Sequence, residues 1–200
     1  QYIYLNKDGS YIWRINTIGE EAFKKILEEN ILTKDKIFIK NKDLEIKILE
    51  KNLISNTNLD EIFKKWFVAE EGSNKIKYKI LTPVSYKDDN KYIIIPDIKL
   101  ILSNLINKWN AFSSNNIDKN IYEEYLIRTF ISNYNIKSTT FSLEKIKIKG
   151  YIGEIEITIK ANQMMINILN MLFEFAEYSG LGIKTSIGMG GIKIVKKEEK

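Results

Sequence analysis

The pattern of apolar and polar positions divides this chain into short alternating segments and longer segments with a helical period. Apolar residues at every second position, many of them β-branched or aromatic, predict strands with one buried face. Apolar residues three or four positions apart predict amphipathic helices. The predicted strands are residues 2–5, 11–15, 36–40, 44–53, 75–81, 136–141, 146–159 and 192–195, and the predicted helices are residues 17–29, 59–67, 98–109, 118–130 and 164–176.

The order of these elements predicts an α+β fold. The chain opens as hairpin, helix and strand, and after Gly72-Ser73-Asn74 it continues as β-α-β-β-α-β if the helix at 118–130 is treated as an insertion. That second order is the ferredoxin-like unit, and the first is its latter half. We therefore predict tandem ferredoxin-like domains, residues 1–72 and 73–200, the first lacking its initial strand and helix. We expect an N-terminally truncated chain; the alternative is a complete variant with a reduced first domain.

Individual residues predict three details within these elements. Pro83 follows the strand at 75–81 and is expected to end its regular pairing. Gly150 and Gly153 predict a bulge or kink in the strand at 146–159. Met164 and Phe130 are assigned to apolar helix faces and therefore to the core.

Composition restricts the chemistry available to the chain. It has 200 residues with neither cysteine nor histidine, so disulfides, zinc–thiolate sites and thiol nucleophiles are excluded. Histidine is the commonest general acid or base near neutrality, so such chemistry here needs perturbed lysine, tyrosine or carboxylate groups. Adjacent carboxylates such as Glu20 and Glu21 point apart on a helix, and we expect neither metal nor cofactor.

Charge and hydropathy indicate the class of partner. The net charge of +5 and the isoelectric point near 9.0 suit a polyanion, although most of the 31 basic residues are lysines expected on a solvated surface. No apolar run reaches the ~18 residues of a membrane span, and no signal segment opens the chain. We predict a soluble, cytoplasmic protein without a membrane partner.

A glycine-rich segment near the C-terminus is the strongest candidate site. It reads Gly180-Leu181-Gly182-Ile183-Lys184-Thr185-Ser186-Ile187-Gly188-Met189-Gly190-Gly191 and holds half of the chain's ten glycines. Glycines permit positive φ and close backbone approach, so successive N–H groups can form a concave phosphate site. The lysine adds a charge, and the two hydroxyls add donors. The predicted RNA-binding residues are Gly180, Gly182, Lys184, Thr185, Ser186, Gly188 and Gly190.

The spacing excludes two common phosphate loops. A dinucleotide fingerprint requires glycine at the position that Thr185 occupies, and a P-loop requires glycine directly before the lysine, where Ile183 stands. The remaining alternative is a glycine turn that closes a hairpin.

The pattern Gly-Leu-Gly, five residues with a lysine, Gly-Met-Gly resembles the signature loop of the CRISPR-associated repeat-processing endoribonucleases. This is the sixth Cas family of the RAMP superfamily, whose domains are of the RRM/RAMP ferredoxin-like type. The preceding Phe175-Ala176-Glu177-Tyr178-Ser179 resembles theirs as well. Leu81-Thr82-Pro83, Pro96-Asp97 and Leu105-Ile106-Asn107-Lys108-Trp109-Asn110 resemble the opening of the same family's C-terminal domain, in the same order.

The resemblance implies binding of CRISPR repeat RNA and cleavage of precursor crRNA without metal, which leaves 2′,3′-cyclic phosphate and 5′-hydroxyl ends. Lys184 would contact RNA, with Lys145, Lys147 and Lys149 extending the surface. The family's acid–base histidine lies in the N-terminal domain and matches no residue here, so the catalytic residues are unknown.

Three interpretations stay open. The chain is either such an endoribonuclease, or a relative that binds repeat RNA without cleaving it, or a RAMP-type structural subunit that would partner other Cas effector subunits. A longer reading frame upstream that carries a histidine, or a lysine and tyrosine pair, would favour the first. A genuine start at this N-terminus would favour the second, and extended inserted loops for subunit contact would favour the third.

Overall fold

A computed structural model describes residues 1–6, 8–28, 31–69, 71–143 and 146–195. The chain is α+β, as predicted. Its strands are β1 Tyr2–Leu5, β2 Tyr11–Arg14, β3 Lys36–Ile39, β4 Leu44–Lys47, β5 Lys75–Val84, β6 Tyr86–Asp88, β7 Lys91–Ile93, β8 Thr129–Leu143, β9 Ile146–Ile159 and β10 Ile192–Ile194. Its α-helices are α1 Glu20–Glu28, α2 Leu59–Lys64, α3 Ile98–Phe112, α4 Tyr122–Arg128 and α5 Gln163–Ser179.

The chain forms two compact units, one of residues 17–58 and one of residues 1–16 together with the chain from Leu59 onward. The larger unit contains a four-stranded antiparallel sheet in the order β10-β5-β9-β8. Apart from α4 and the β6–β7 hairpin, this part runs β5-α3-β8-β9-α5-β10, which is the β-α-β-β-α-β order of the ferredoxin-like unit. The tandem arrangement, the truncation and the division into 1–72 and 73–200 stay predictions.

The core of the larger unit lies between this sheet and the helices α3 and α5. Strand β5 alternates between exposed lysines and buried residues over its first half, as its sequence predicts. Tyr78 packs on Phe173 of α5 with ring centroids 5.1 Å apart, and Trp109 of α3 meets Phe175 edge-on at 5.3 Å. Aromatic pairs of this kind contribute beyond their buried area, so they hold both helices on the sheet.

The N-terminal hairpin belongs to the larger unit and packs against the glycine-rich segment. Strands β1 and β2 pair in an antiparallel register from Tyr2↔Arg14 to Leu5↔Tyr11, around the predicted Asp-Gly turn. The Tyr2 side chain is buried, and its ring lies where a Cβ on Gly191 would be. The hairpin therefore contacts the glycine-rich segment directly.

The smaller unit consists of α1 and the β3–β4 hairpin, and none of its described residues is buried. Helix α1 begins at Glu20, and Glu29, the predicted end of this helix, lies outside the described residues. Strand β4 ends at Lys47 rather than at Leu53. Its partner β3 begins at Lys36, the register partner of Lys47, and the hairpin closes with a hydrogen bond from Ile48 N–H to the Asp35 carbonyl at 2.8 Å.

Three details differ from the sequence prediction. Strand β5 continues past its predicted end at Leu81 to Val84. Its pairing with β9 is nevertheless irregular between Ile80 and Val84, opposite Gly153 and Tyr151, in agreement with the predictions from Pro83 and Gly153. Helix α4 ends at Arg128 because Thr129 pairs with Ile159 and begins β8, which leaves Phe130 partly exposed. Met164 is 62% exposed, and its neighbour Met165 is buried instead. In the described part of the chain, no helix is long and apolar enough to cross a membrane.

Candidate functional site

Three segments that are distant in sequence meet around the glycine-rich segment, hereafter the glycine loop (residues 180–191). They are the end of β5 with Ser85, the second half of α3, and the loop itself. Each of these segments carries one of the sequence motifs singled out above. The structure therefore explains why the motifs occur together: they bind one another.

The C-terminal flank of the loop extends the sheet. Gly190 N–H donates to the Pro83 carbonyl at 2.9 Å, and Gly191 N–H donates to the Thr82 hydroxyl at 2.8 Å. The Gly191 carbonyl in turn accepts from Leu81 N–H at 2.8 Å. The motif Leu81-Thr82-Pro83 is thus the docking strand of the loop.

The N-terminal flank is bound to α3 and to Ser85. Gly182 N–H donates to the Asn104 side-chain oxygen at 2.9 Å, and Ile183 N–H donates to the Ser85 carbonyl at 3.0 Å. Leu181 N–H donates to the Gly190 carbonyl at 2.8 Å, which closes the loop at its base.

Glycine is required at two of these base positions. Gly190 has φ +72° and Gly182 has φ +80°, values that side-chain-bearing residues rarely adopt. A Cβ on Gly190 would collide with the Leu181 carbonyl, and one on Gly182 with the Ser85 carbonyl. The base glycines therefore allow backbone to pack on backbone.

The centre of the loop faces solvent. Lys184 has left-handed backbone angles (φ +57°, ψ 29°) and precedes a single 3₁₀ turn, Thr185–Ile187. Lys184 and Ser186 are exposed, and Thr185 is half-buried. No contact within the described chain occupies the N–H groups of Lys184, Thr185 and Ser186, as expected for the first residues of a helical turn.

The structure brings the seven predicted RNA-binding residues into one loop and separates them into two groups. The N–H groups of the four glycines are engaged inside the protein, with acceptors that include Ala176 and Thr185 for Gly180 and Gly188. By contrast, the N–H groups of Lys184, Thr185 and Ser186 have no acceptor among the described residues, and the side chains of Lys184 and Ser186 are exposed, whereas the Thr185 hydroxyl lies 3.5 Å from Lys108 Nζ. The glycines shape the loop, and these three residues carry its exposed chemistry.

Lys108 is a residue of this site that the sequence analysis did not single out. Its ammonium group donates to the Gly180 carbonyl at 2.8 Å and lies 3.4 Å from the Ser179 carbonyl and 3.5 Å from the Thr185 hydroxyl. Burial lowers the pKa of Lys108 to about 8. The sequence pattern could have identified Lys108. Ile101, Leu105 and Lys108 have helical spacing, which puts this lysine on the buried face of α3.

Asn16 approaches the same helix end from the N-terminal hairpin. Its side-chain amide donates to the carbonyls of Glu177 and Tyr178, both at 3.0 Å. The Asn16 oxygen accepts from Arg14 Nε at 3.1 Å, which fixes the orientation of the amide. The Glu177 carboxylate accepts from Ile194 N–H at 2.8 Å, and burial raises the pKa of Glu177.

Two of the predicted basic residues lie on β9, but their side chains point to the sheet face opposite to Phe141, the ring nearest Gly188. A Cβ on Gly188 would come within 3.7 Å of the Phe141 ring, and Phe141 pairs with Ile148 in the β8–β9 ladder. The exposed residues Lys147 and Lys149 flank Ile148. Lys145, the third predicted member of this basic group, lies outside the described residues.

The lysines of β5 have partners of their own. Lys77 contacts Glu154 at 2.7 Å and Lys75 contacts Glu156 at 3.6 Å. Their charge is therefore partly balanced within the sheet, unlike that of Lys184. Among the described residues there is no cluster of three acidic side chains that could hold a metal ion.

Comparison with known proteins identifies the family to which this chain belongs. The family model of the CRISPR-associated endoribonuclease Cas6 matches residues 78–192, a range that begins in β5 and ends in β10. This chain therefore belongs to the Cas6 family, as its two motifs predicted.

Particular relatives show how much of a Cas6 protein the chain represents. It is 26% identical over 189 residues to the Cas6 endoribonuclease of Streptococcus thermophilus, covering 94% of this chain and 76% of the relative. It is 25% identical over 199 residues to that of Mycobacterium tuberculosis strain CDC 1551, covering 97% of this chain and 62% of the relative.

Solved structures agree on the fold. A Cas6 product complex superposes with a TM-score of 0.75 at 17% identity, over 88% of this chain and 74% of that one. Thermus thermophilus Cas6 superposes with a TM-score of 0.62 at 23% identity, over 70% of this chain and 58% of that one. The chain thus spans between about three fifths and three quarters of the length of these four proteins.

Proposed function

We propose that this chain binds CRISPR repeat RNA through residues 184–186 of the glycine loop and belongs to an endoribonuclease that processes precursor crRNA. The observation that supports the proposal most directly is the division within the loop. Every described backbone N–H of the base is engaged internally, whereas those of Lys184, Thr185 and Ser186 have no acceptor among the described residues and lie beside the exposed side chains of Lys184 and Ser186.

This arrangement suits a phosphate group. Backbone N–H groups, hydroxyls and an ammonium group are the donors that proteins use on phosphate oxygens, and contacts of this kind position a nucleic acid without reading its sequence. Lys147 and Lys149 are exposed on β9, on the sheet face opposite to Phe141, and are further candidates for contact with the RNA backbone. The relatives support an RNA ligand, since they carry the name endoribonuclease.

The proposed reaction is intramolecular. The 2′-hydroxyl of one nucleotide attacks the neighbouring phosphorus, the bond to the 5′-oxygen breaks, and the products carry a 2′,3′-cyclic phosphate and a 5′-hydroxyl. This chemistry needs a base, an acid and a cation near the developing negative charge, but no metal. Lys184 is our candidate for the cation, and the acid and base are not assigned to residues.

A second candidate function is retention of repeat RNA without cleavage. It is favoured by the absence of histidine from the sequence, because the commonest acid–base group at neutral pH is then missing. The partner in both cases is repeat RNA, and the two functions differ only in the fate of that RNA.

One experiment separates the two functions. The chain is incubated with its cognate repeat RNA in EDTA, and a gel shift is read alongside the end chemistry of any product. A single cut with a cyclic-phosphate end supports the endoribonuclease, and a shift without a cut supports the binding protein. Absence of both would contradict the proposal.

Lys184→Ala tests the loop itself. We expect weaker binding and a salt dependence reduced by about one phosphate contact, because one released counterion is lost. The matched control is Lys99→Ala, which removes an exposed lysine of α3 without touching the loop. An unchanged salt slope for Lys184→Ala would remove the loop from the RNA site.

A further inference from the structure

We propose that Asn16 and Lys108 are positioning residues which, as a two-sided clamp on the C-terminal end of α5, hold the glycine loop in the conformation that presents residues 184–186. The inference rests on the proposed function only in one respect, namely that residues 184–186 bind RNA. The clamp itself is argued from hydrogen bonds that exist in the free protein.

The need for a clamp arises from helix geometry. The last carbonyl groups of an α-helix have no partner within the helix, and they carry the negative end of its dipole. In α5 the Ala176 carbonyl accepts from Gly180 N–H at 2.9 Å. The carbonyls of Glu177, Tyr178, Ser179 and Gly180 then remain at the point where the chain turns into the loop.

Two side chains supply donors to all four carbonyls. Asn16 donates to Glu177 and Tyr178 from the N-terminal hairpin, and Lys108 donates to Gly180 and lies near Ser179 from α3. The two donors belong to elements separated by more than ninety positions in sequence. The end of α5 is therefore complete only when both the hairpin and α3 are packed against it.

Lys108 also connects this helix end to the exposed part of the loop. Its ammonium group lies 3.5 Å from the Thr185 hydroxyl, and Thr185 begins the 3₁₀ turn whose first two N–H groups have no acceptor among the described residues. The position of the turn relative to α5 thus depends on Lys108. Burial lowers the pKa of this lysine, which agrees with a group enclosed by protein rather than by water.

Asn16 has an equally defined role. Its oxygen accepts from Arg14, so its amide nitrogen must point at α5, where it donates twice. Gln1 strengthens the attachment, because its side chain donates to the Ser186 carbonyl at 3.4 Å and accepts from Trp13 Nε1 at 3.1 Å. The hairpin therefore bonds both the helix end and the 3₁₀ turn.

The test uses two nearly isosteric changes with matched controls. Lys108→Met keeps the length of the side chain and removes its donors, and Lys99→Met makes the same change at an exposed position of α3. Asn16→Asp replaces the amide donor by an acceptor, and Asn107→Asp makes that change at an exposed position of α3. If Lys108→Met does not fold, the half-buried Asn16 still allows the test.

The first readout is amide hydrogen exchange in the RNA-free protein. We expect both clamp variants to raise exchange about tenfold at the N–H groups of Leu181, Gly182, Ile183 and Gly190, because buried acceptors lose their donors and the loop opens locally. Exchange in β9 and in both controls should not change. Equal acceleration throughout the larger unit, or no change in the loop, would overturn the inference.

The second readout is repeat RNA binding as a function of salt. We expect each clamp variant to lose about fivefold to tenfold in affinity at an unchanged salt slope, since Lys184 keeps its charge, whereas Lys184→Ala changes the slope. Accelerated loop exchange with unchanged RNA affinity would leave the clamp in place and refute the loop as the RNA site. The failure of the clamp and the failure of the proposed function are thereby distinguished.

Discussion

Replacement of Gly190 by alanine tests whether the base of the loop depends on close backbone packing. Gly190 has φ +72°, and a Cβ there would collide with the Leu181 carbonyl, whose residue donates its own N–H to the Gly190 carbonyl. The matched variant is Gly188→Ala in the same loop. Gly188 has φ +113°, but its Cβ would meet nothing closer than 3.7 Å.

The expected magnitudes follow from these differences. Both variants force alanine to adopt a positive φ that favours glycine, at a cost of about 1–3 kcal/mol. Gly190→Ala has two further costs. The Leu181 carbonyl must move away from the new Cβ, and this movement weakens the Leu181–Gly190 hydrogen bond, which contributes about 1 kcal/mol. We expect the free energy of unfolding to fall by about 2 kcal/mol more for Gly190→Ala than for Gly188→Ala.

The assay is urea unfolding followed by circular dichroism, with the slope of the transition compared between the two variants. Equal losses of stability would show that positive φ alone accounts for both glycines and that the close approach to Leu181 has no cost. A larger loss for Gly188→Ala would refute the described packing of the loop.

Three further predictions follow from single contacts. The folded pKa of Lys108 is about 8 and its ordinary value is 10.5, so between these pH values the unfolded chain binds more protons and stability should rise with pH, by at most about 3 kcal/mol; Lys108→Met should abolish this rise in unfolding curves measured at each pH. Glu174→Ala should cost about 1–3 kcal/mol in urea unfolding, because the carboxylate accepts from Lys65 Nζ at 2.9 Å and from Trp66 Nε1 at 2.6 Å, whereas the exposed Glu123→Ala should cost little; similar losses would contradict this account. Residues 17–58 should exchange their amides faster than β9, since none of the described side chains in that unit is buried; equal protection would refute the expectation.

The elements that the sequence predicted best are those with a long, regular pattern. Strand β9 has the predicted bounds, and α3 and α5 contain the predicted helical segments, because burial of one face imposes its period on many residues. Short elements carry too few positions for a period. The β6–β7 hairpin, with three residues in each strand, was therefore missed.

The sequence by itself determined the candidate loop and its family, because glycine spacing and the two motifs are properties of the linear chain. Only the tertiary structure decided which loop residues face outward. A backbone N–H is available to a ligand only if no other segment accepts from it, and here Pro83, Ser85 and Asn104 accept from the base while nothing described accepts from Lys184 to Ser186. The contacts of Lys108 with the end of α5 and with Thr185 were likewise decided by the fold, because the sequence does not show which elements pack next to α3.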